Sequence, residues 1–259
     1  MAHHPQDANE CFHFHLLTEQ EIEGRRDVRE FLVTYPNTRL STHLIDPKQY
    51  AQYDHPVFTL WTNLRANLPL LLGDVDRVLY LDTDVLVVGD LRPLFTLDLQ
   101  GKYMAMAEEI FLRNRTDFTL PHYLTLPVYN AGVALMDLEQ LRKIDFTQQF
   151  WEKLSAQYHQ LHSPDQDIIN ITWKEHIYPL PQIYNVHRLF LTRPETYIAQ
   201  YKEELKECLW APVIIHYALS APWFLDRDKH PYHQHWIDFN KSLKYPAPIT
   251  YGTKNKWLR

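Results

Sequence analysis

The stretch RVLYLDTDVLVVGDL, residues 77–91, sets two carboxylates inside an otherwise apolar run. Val78 to Leu81 and Val85 to Val88 call for burial, and a charge placed among them is costly unless something compensates it. Either a strand ends at Asp82 and emerges at a surface, or a cation sits there. In open α/β sheets ligands bind outside the carboxyl ends of the strands, and alternate residues of an extended segment share a face. Asp82 and Asp84 can therefore point at one spot. Two hard oxygen ligands there suit Mg²⁺ or Mn²⁺, with phosphate oxygens and water completing the shell. A loop-capping role is the competing reading. Asp-x-Asp also occurs at Asp74/Asp76, Asp165/Asp167 and Asp226/Asp228, but only the 82/84 pair follows a buried-strand signature and precedes a second apolar run.

Working outward, CFHFHLLTE reads as a strand ending at Thr18, followed by a helix within residues 19–36 that Pro36 closes. TRLSTHLID (38–46) is a second strand. Residues 58–72 have helical apolar spacing at Leu60, Leu64, Leu68 and Leu71, with Pro69 kinking or shortening the last turn. KYMAMAEEI is a strand, Phe111 to Pro127 a long loop, and VYNAGVALMDL a strand containing a glycine. QQFWEKLSAQY and DQDIINITWK are helices. VIIHYALSAPW is a strand running into a turn, and the aromatic, proline-rich tail from Pro231 is expected to wrap the surface. Strands alternating with helices predict an α/β class: a mostly parallel central sheet with helices on both faces. We expect a single domain over 1–259, with a core at 12–223 and a C-terminal extension at 224–259.

The 259 residues carry a net charge of −6, which implies no general affinity for nucleic acid or an anionic membrane. Only 6 glycines are present, and neither GxGxxG nor GxxxxGK occurs, which argues against a glycine-rich phosphate loop and hence against a nucleotidyltransferase. Cys11 and Cys208 fit no metal spacing and no disulfide framework, so a reducing, cytoplasmic location is expected. No apolar run reaches the length of a membrane span. The 15 histidines are scattered and are read as surface or filler residues unless another feature singles one out.

Four segments change the reading. YLDTDVLVVGDLRPLF, YNAGVALMDLEQLR, DQDIIN and IIHYALSAPW resemble, in this order, the landmark segments of glycosyltransferase family 8, which includes glycogenin, plant galactinol synthases and bacterial lipopolysaccharide sugar transferases. The resemblance runs from about Phe12 to about Trp223. It implies an A-type glycosyltransferase fold and transfer of a hexose from a UDP-sugar, with retention, to a hydroxyl of a carbohydrate or glycolipid acceptor. It also implies a metal held by Asp82, Asp84 and His216, for which the imidazole favours Mn²⁺ over Mg²⁺. Gln166 and Asp165 would act at the reacting centre. Arg65, Asp82, Thr83, Asn130, Ala131 and Gly132 would contact the donor.

Each of these residues also has a plainer reading. His216 could be a buried histidine bonded to a backbone carbonyl. Asp165, with Ser163, could cap a helix. Gly132 could mark a bulge. Arg65 could be a surface arginine on a helix.

Two departures stand against the resemblance. The family opens with an apolar strand ending in Asp-x-x-Tyr, and the polar residues before Phe12 offer none. The first strand is therefore expected to be missing, leaving unpaired edges that another copy of the chain, an upstream segment or an altered sheet would have to satisfy. In the diphosphate turn, Leu219 replaces a glycine and Ala221 a lysine, with Arg227 or Lys229 as candidate substitutes. A catalytically weak or inactive relative that serves as a binding partner is therefore the second reading.

Overall fold

The computed structural model describes residues 10–53, 59–113, 120–191, 199–218, 221–223 and 230–249. Leu219, Arg227, Lys229 and Phe118 lie outside them. Among the described residues the strands are β1 (Phe12–Thr18), β2 (Thr38–Leu44), β3 (Arg77–Leu81), β4 (Val85–Val87), β5 (Met104–Glu108), β6 (Tyr129–Asp137), β7 (Ile177–Leu180), β8 (Val186–His187) and β9 (Ile214–His216). The stretch 77–91 is thus not one strand. Its two apolar halves become β3 and β4, which belong to different sheets.

The sheets run β1-β2, β3-β6-β5-β7 and β4-β9-β8. The expected mostly parallel sheet is not what forms. β6 is antiparallel to both β3 and β5, and β4 is antiparallel to β9. β1/β2, β5/β7 and β8/β9 are parallel. The reason lies in the connections. A parallel pair needs a long crossover, usually helical, and β1 reaches β2 through the helix Arg26–Thr34. β5 and β6 are joined by the long segment 109–128, whose described part holds only the short 3₁₀ turn Ile110–Arg113, so the chain returns beside itself the other way.

β6 is the backbone of the molecule, with eight of its nine residues buried. Its alternate side chains feed two cores. Ala134 and Met136 join Phe146, Phe150 and Leu154 of the helix Phe146–Gln157 and Ile168, Ile169 and Trp173 of the helix Pro164–Trp173. Val133 and Leu135 meet Leu94, Leu99, Ala105 and Ile214 on the opposite face. A third cluster gathers Leu86, Val186, Phe190, Leu205 and Tyr217.

Three helix expectations are revised. The first helix begins only at Arg26, after a turn in which Arg25 N–H donates to Ile22 O. The 58–72 helix is broken into Leu60–Asn63, a 3₁₀ turn Leu64–Asn67 and Leu68–Leu71, with Pro69 in the first turn of the last piece, where its missing N–H costs nothing. The tail does not merely wrap the surface: His233–Ser242 is a helix whose Trp236 and Phe239 pack on the third cluster, beside buried Tyr232. No described helix is long and apolar enough to cross a membrane.

Among the described residues β1 pairs only with β2, and β3 only with β6. Both strands line one cleft of about 1510 Å³. Phe14 and Leu16 of β1 are 44% and 39% exposed. Cys11 is exposed on the wall of the same cleft, whereas Cys208 is buried, and both thiols are free.

Candidate functional site

The question raised by the two carboxylates is answered by what holds their backbone. Asp82 N–H donates to Gly132 O at 2.8 Å, extending the β3–β6 ladder by one residue. Asp84 O accepts from Tyr217 N–H at 2.8 Å, and Val85 sits opposite His216 in the β4–β9 register. The Asp82-Thr83-Asp84 link therefore ties two sheets together, and the end of β9 brings His216 to it. One ligand atom from each of Asp82, Asp84 and His216 lies within 4.8 Å of the others. His216 Nε2 is 3.3 Å from Asp84 Oδ1 and 3.8 Å from Asp82 Oδ2.

Gly132 makes this possible. A Cβ there would stand 2.2 Å from His216 Cε1 and 2.8 Å from Asp82 Oδ2. The imidazole and carboxylate packed against it require a glycine, and it also lies in the stretch of β6 between Tyr129 and Ala134 where the register with β5 shifts, so the expected bulge is present as well. Two carboxylate oxygens and one imidazole nitrogen on a cleft wall form a donor set that fits a divalent ion such as Mn²⁺.

Electrostatics point the same way. Burial alone would push Asp82 up, but Arg65, His216 and the Tyr80 hydroxyl (2.7 Å) hold it below the usual carboxylate range. Burial would push His216 down, and Asp84, Asp82 and Glu109 more than reverse it. The triad therefore already favours positive charge at its centre.

Arg65 is not a surface residue. It is buried, donates to Asp82 at 3.1 Å and to the Ala131 carbonyl, pairs with Asp165 at 2.9 Å, and stacks on the Tyr80 ring with 4.2 Å to its centroid. Its guanidinium is taken up by the protein's own carboxylates. Burial raises Asp165 even against the pull of Arg65. Asp165 does not act as a helix cap through Ser163: it is Asp167 that accepts from His162 N–H at 2.9 Å and Ser163 N–H at 3.0 Å, and from the Tyr123 hydroxyl at 2.9 Å.

Gln166 Oε1 accepts from Ala131 N–H at 3.1 Å, so both backbone groups of Ala131 are engaged by site residues. Asn130 donates to Glu109 at 2.7 Å and accepts from Gly132 N–H at 2.9 Å. His216 Nδ1 meets Asn185 Oδ1 at 2.8 Å, not a backbone carbonyl. Thr83, Gln166 and Ala221 all line the cleft.

Sequence reading missed Glu109 and Asn185. Glu109 follows β5 as Asp82 follows β3, and both strands run antiparallel to β6, so the two carboxylates emerge at one rim. That signal becomes legible only once strand direction is known. Burial raises Glu109, while Asn130, His216 and Gln166 oppose the shift.

The description "Glycosyl transferase family 8" matches residues 4–225. Glycosyltransferase GlyF of Streptococcus pneumoniae serotype 4 is 29% identical over 150 residues, 57% of this chain and 34% of that protein. Lipopolysaccharide 1,2-glucosyltransferase of Escherichia coli is 25% identical over 226 residues, 82% of this chain and 64% of that protein. The chain thus spans between about a third and two thirds of the length of these two relatives. The crystal structure of galactosyltransferase LgtC with donor and acceptor sugar analogues superposes with a TM-score of 0.76 at 21% identity, covering 90% of this chain and 85% of that one. Glycosyltransferase GlyE of Streptococcus pneumoniae gives 0.64 at 24%, covering 92% and 59%. These likenesses establish a shared α/β fold.

Proposed function

Because the chain belongs to glycosyl transferase family 8, we propose that it moves a hexose from a UDP-sugar to a hydroxyl of a carbohydrate or glycolipid acceptor, with retention at the anomeric carbon. One observation carries this reading: Asp82, Asp84 and His216 converge on the wall of a cleft that also presents Gln166 and Asp165. Asp82, Asp84 and His216 would hold Mn²⁺ or Mg²⁺, which when bound neutralises the charge that builds on a departing diphosphate. The cleft, at about 1510 Å³, runs from the triad along β3 to β1, and we assign the part beside Asp82, Asp84 and His216 to the donor.

The chain's own groups divide the remaining work. Gln166 is held at its carbonyl by Ala131 N–H. A neutral amide is a poor nucleophile, so Gln166 positions the sugar or steadies positive charge at the anomeric carbon. Asp165, anchored by Arg65, meets sugar hydroxyls beside it. Arg65 balances buried Asp165 and part-buried Asp82, so that the donor's negative charge is left to the metal triad. The acceptor hydroxyl attacks from the face the diphosphate leaves.

The test is UDP-sugar hydrolysis by purified protein with Mn²⁺. Activity is expected to vanish in excess chelator and to fall about a hundredfold or more in Asp84→Ala; undiminished turnover in chelator refutes the reading. The second reading, a binding partner without activity, is favoured by Ala221, which lines the cleft without offering a cation. Calorimetry that finds no UDP binding in the presence of Mn²⁺ would select it.

A further inference from the structure

A run of buried side-chain amides behind the site settles where the His216 proton must sit. It starts from a group that cannot turn round. A backbone N–H only donates, so the Gly132 amide fixes Asn130 with Oδ1 toward it at 2.9 Å and Nδ2 toward Glu109 at 2.7 Å. Asn130 Oδ1 also faces Asn185 at 2.8 Å, so Asn185 must present its NH₂ there. That turns Asn185 Oδ1 toward His216 Nδ1, 2.8 Å away. A carbonyl oxygen only accepts, so Nδ1 carries the proton. In the neutral ring Nε2 then bears the lone pair, and it is Nε2 that faces Asp84 and Asp82. Asn185 is fully buried, and its backbone N–H donates to Gln182 O at 2.9 Å, which anchors the main chain that carries the amide.

We infer that Asn185, oriented by Asn130 and the Gly132 amide, is a positioning residue that locks His216 in the Nδ1–H tautomer with Nε2 ready to bind metal. Without an acceptor at Nδ1, the imidazole would do better to donate Nε2–H to Asp84, which blocks the ligand atom. His230 is a built-in contrast. Its Nδ1 accepts from Tyr232 N–H at 3.0 Å, so its proton sits on Nε2, facing Val186 O at 3.2 Å. The tautomer assignment stands on hydrogen bonding alone; its consequence for metal affinity rests on the metal site proposed above.

The experiment is long-range ¹H–¹⁵N correlation of the metal-free protein, at a pH where the rings are neutral. His216 is expected as Nδ1–H and His230 as Nε2–H, with His216 alone changing tautomer in Asn185→Leu. An Nε2–H signal for His216 in the native protein, or no change in the variant, overturns the inference. Calorimetry with Mn²⁺ alone supplies the second readout. Asn185→Leu is expected to bind about 10–100-fold more weakly, whereas Asn185→Asp, which keeps an acceptor opposite Nδ1 but sets its second oxygen against Asn130 Oδ1, is expected to lose clearly less than the leucine variant. Equal losses in both variants would mean that Asn185 only packs, and would overturn the positioning role. A native protein that shows the Nδ1–H tautomer but takes up no Mn²⁺ upholds the relay and refutes the metal reading.

Discussion

Two regions line the cleft and are built in opposite ways. At the rim where β3, β6 and β9 meet, polar groups are buried and committed: Arg65 to two carboxylates, Asn130 to a backbone amide and Glu109, Asn185 to His216. Elsewhere in the lining, β1 has β2 as its only strand partner among the described residues and carries half-exposed phenylalanine and leucine. Its polar contacts are local pairs, His13 with Ser41 at 2.9 Å and His15 with His43 at 3.0 Å. A two-stranded pair is marginal in water. The rim is therefore expected to keep its geometry while the β1–β2 side yields, and amide exchange is expected to be fastest there.

The comparison can be broken most forcefully at Arg65. Arg65→Met would leave Asp82 and Asp165 without their buried counter-charge, and denaturant unfolding is expected to show a loss of about 3–5 kcal/mol. Gly132→Ala comes next. Its added methyl collides with the His216 ring, and the overpacking costs about 1–3 kcal/mol. Calorimetry should show Mn²⁺ affinity falling as well, since the imidazole must move.

A third test uses pH. Burial holds His187 down to about 3 and His230 down to about 4. Their ordinary value is about 6.5, so as pH falls below that point the unfolded chain binds protons that the folded chain refuses. The stability these rings allow is complete above about pH 6.5 and drains away toward pH 4, at about 1.4 kcal/mol per pH unit for each ring. Buried Glu109 and Asp165 are shifted upward and pull the other way, so the clean readout is a difference. Replacing His230 by glutamine should remove one ring's share of the slope between pH 5 and 6.5, and an unchanged slope would contradict its burial as a neutral group.

The smallest effect belongs to the β1 side. Phe14→Ser, at a residue 44% exposed, is expected to change stability by no more than about 0.5 kcal/mol. A much larger loss would show that the β1 side is as tightly built as the rim.

The asymmetry also explains what could be read from sequence. Asp82, Asp84 and His216 were legible because each stands at the end of an apolar run, and a strand end is a local pattern. Glu109 and Asn185 carry no such pattern. Their meaning comes from partners 21 and 55 residues away. Strand direction was hidden for a related reason, since an apolar run of residues such as β6 looks the same whichever way its neighbours run. The helix at His233–Ser242 escaped notice because histidines and aromatics masked its period, although Trp236, Phe239 and Asn240 share one face.

The placement of the two thiols has a practical consequence. Cys208 is buried in an apolar cluster that pushes its thiol up and shields it from reagents, while Cys11 stands exposed on the cleft wall. A maleimide fluorophore should therefore attach at one place without any engineered cysteine. Its emission would then serve as an optical gauge of whatever enters or leaves the chamber in real time.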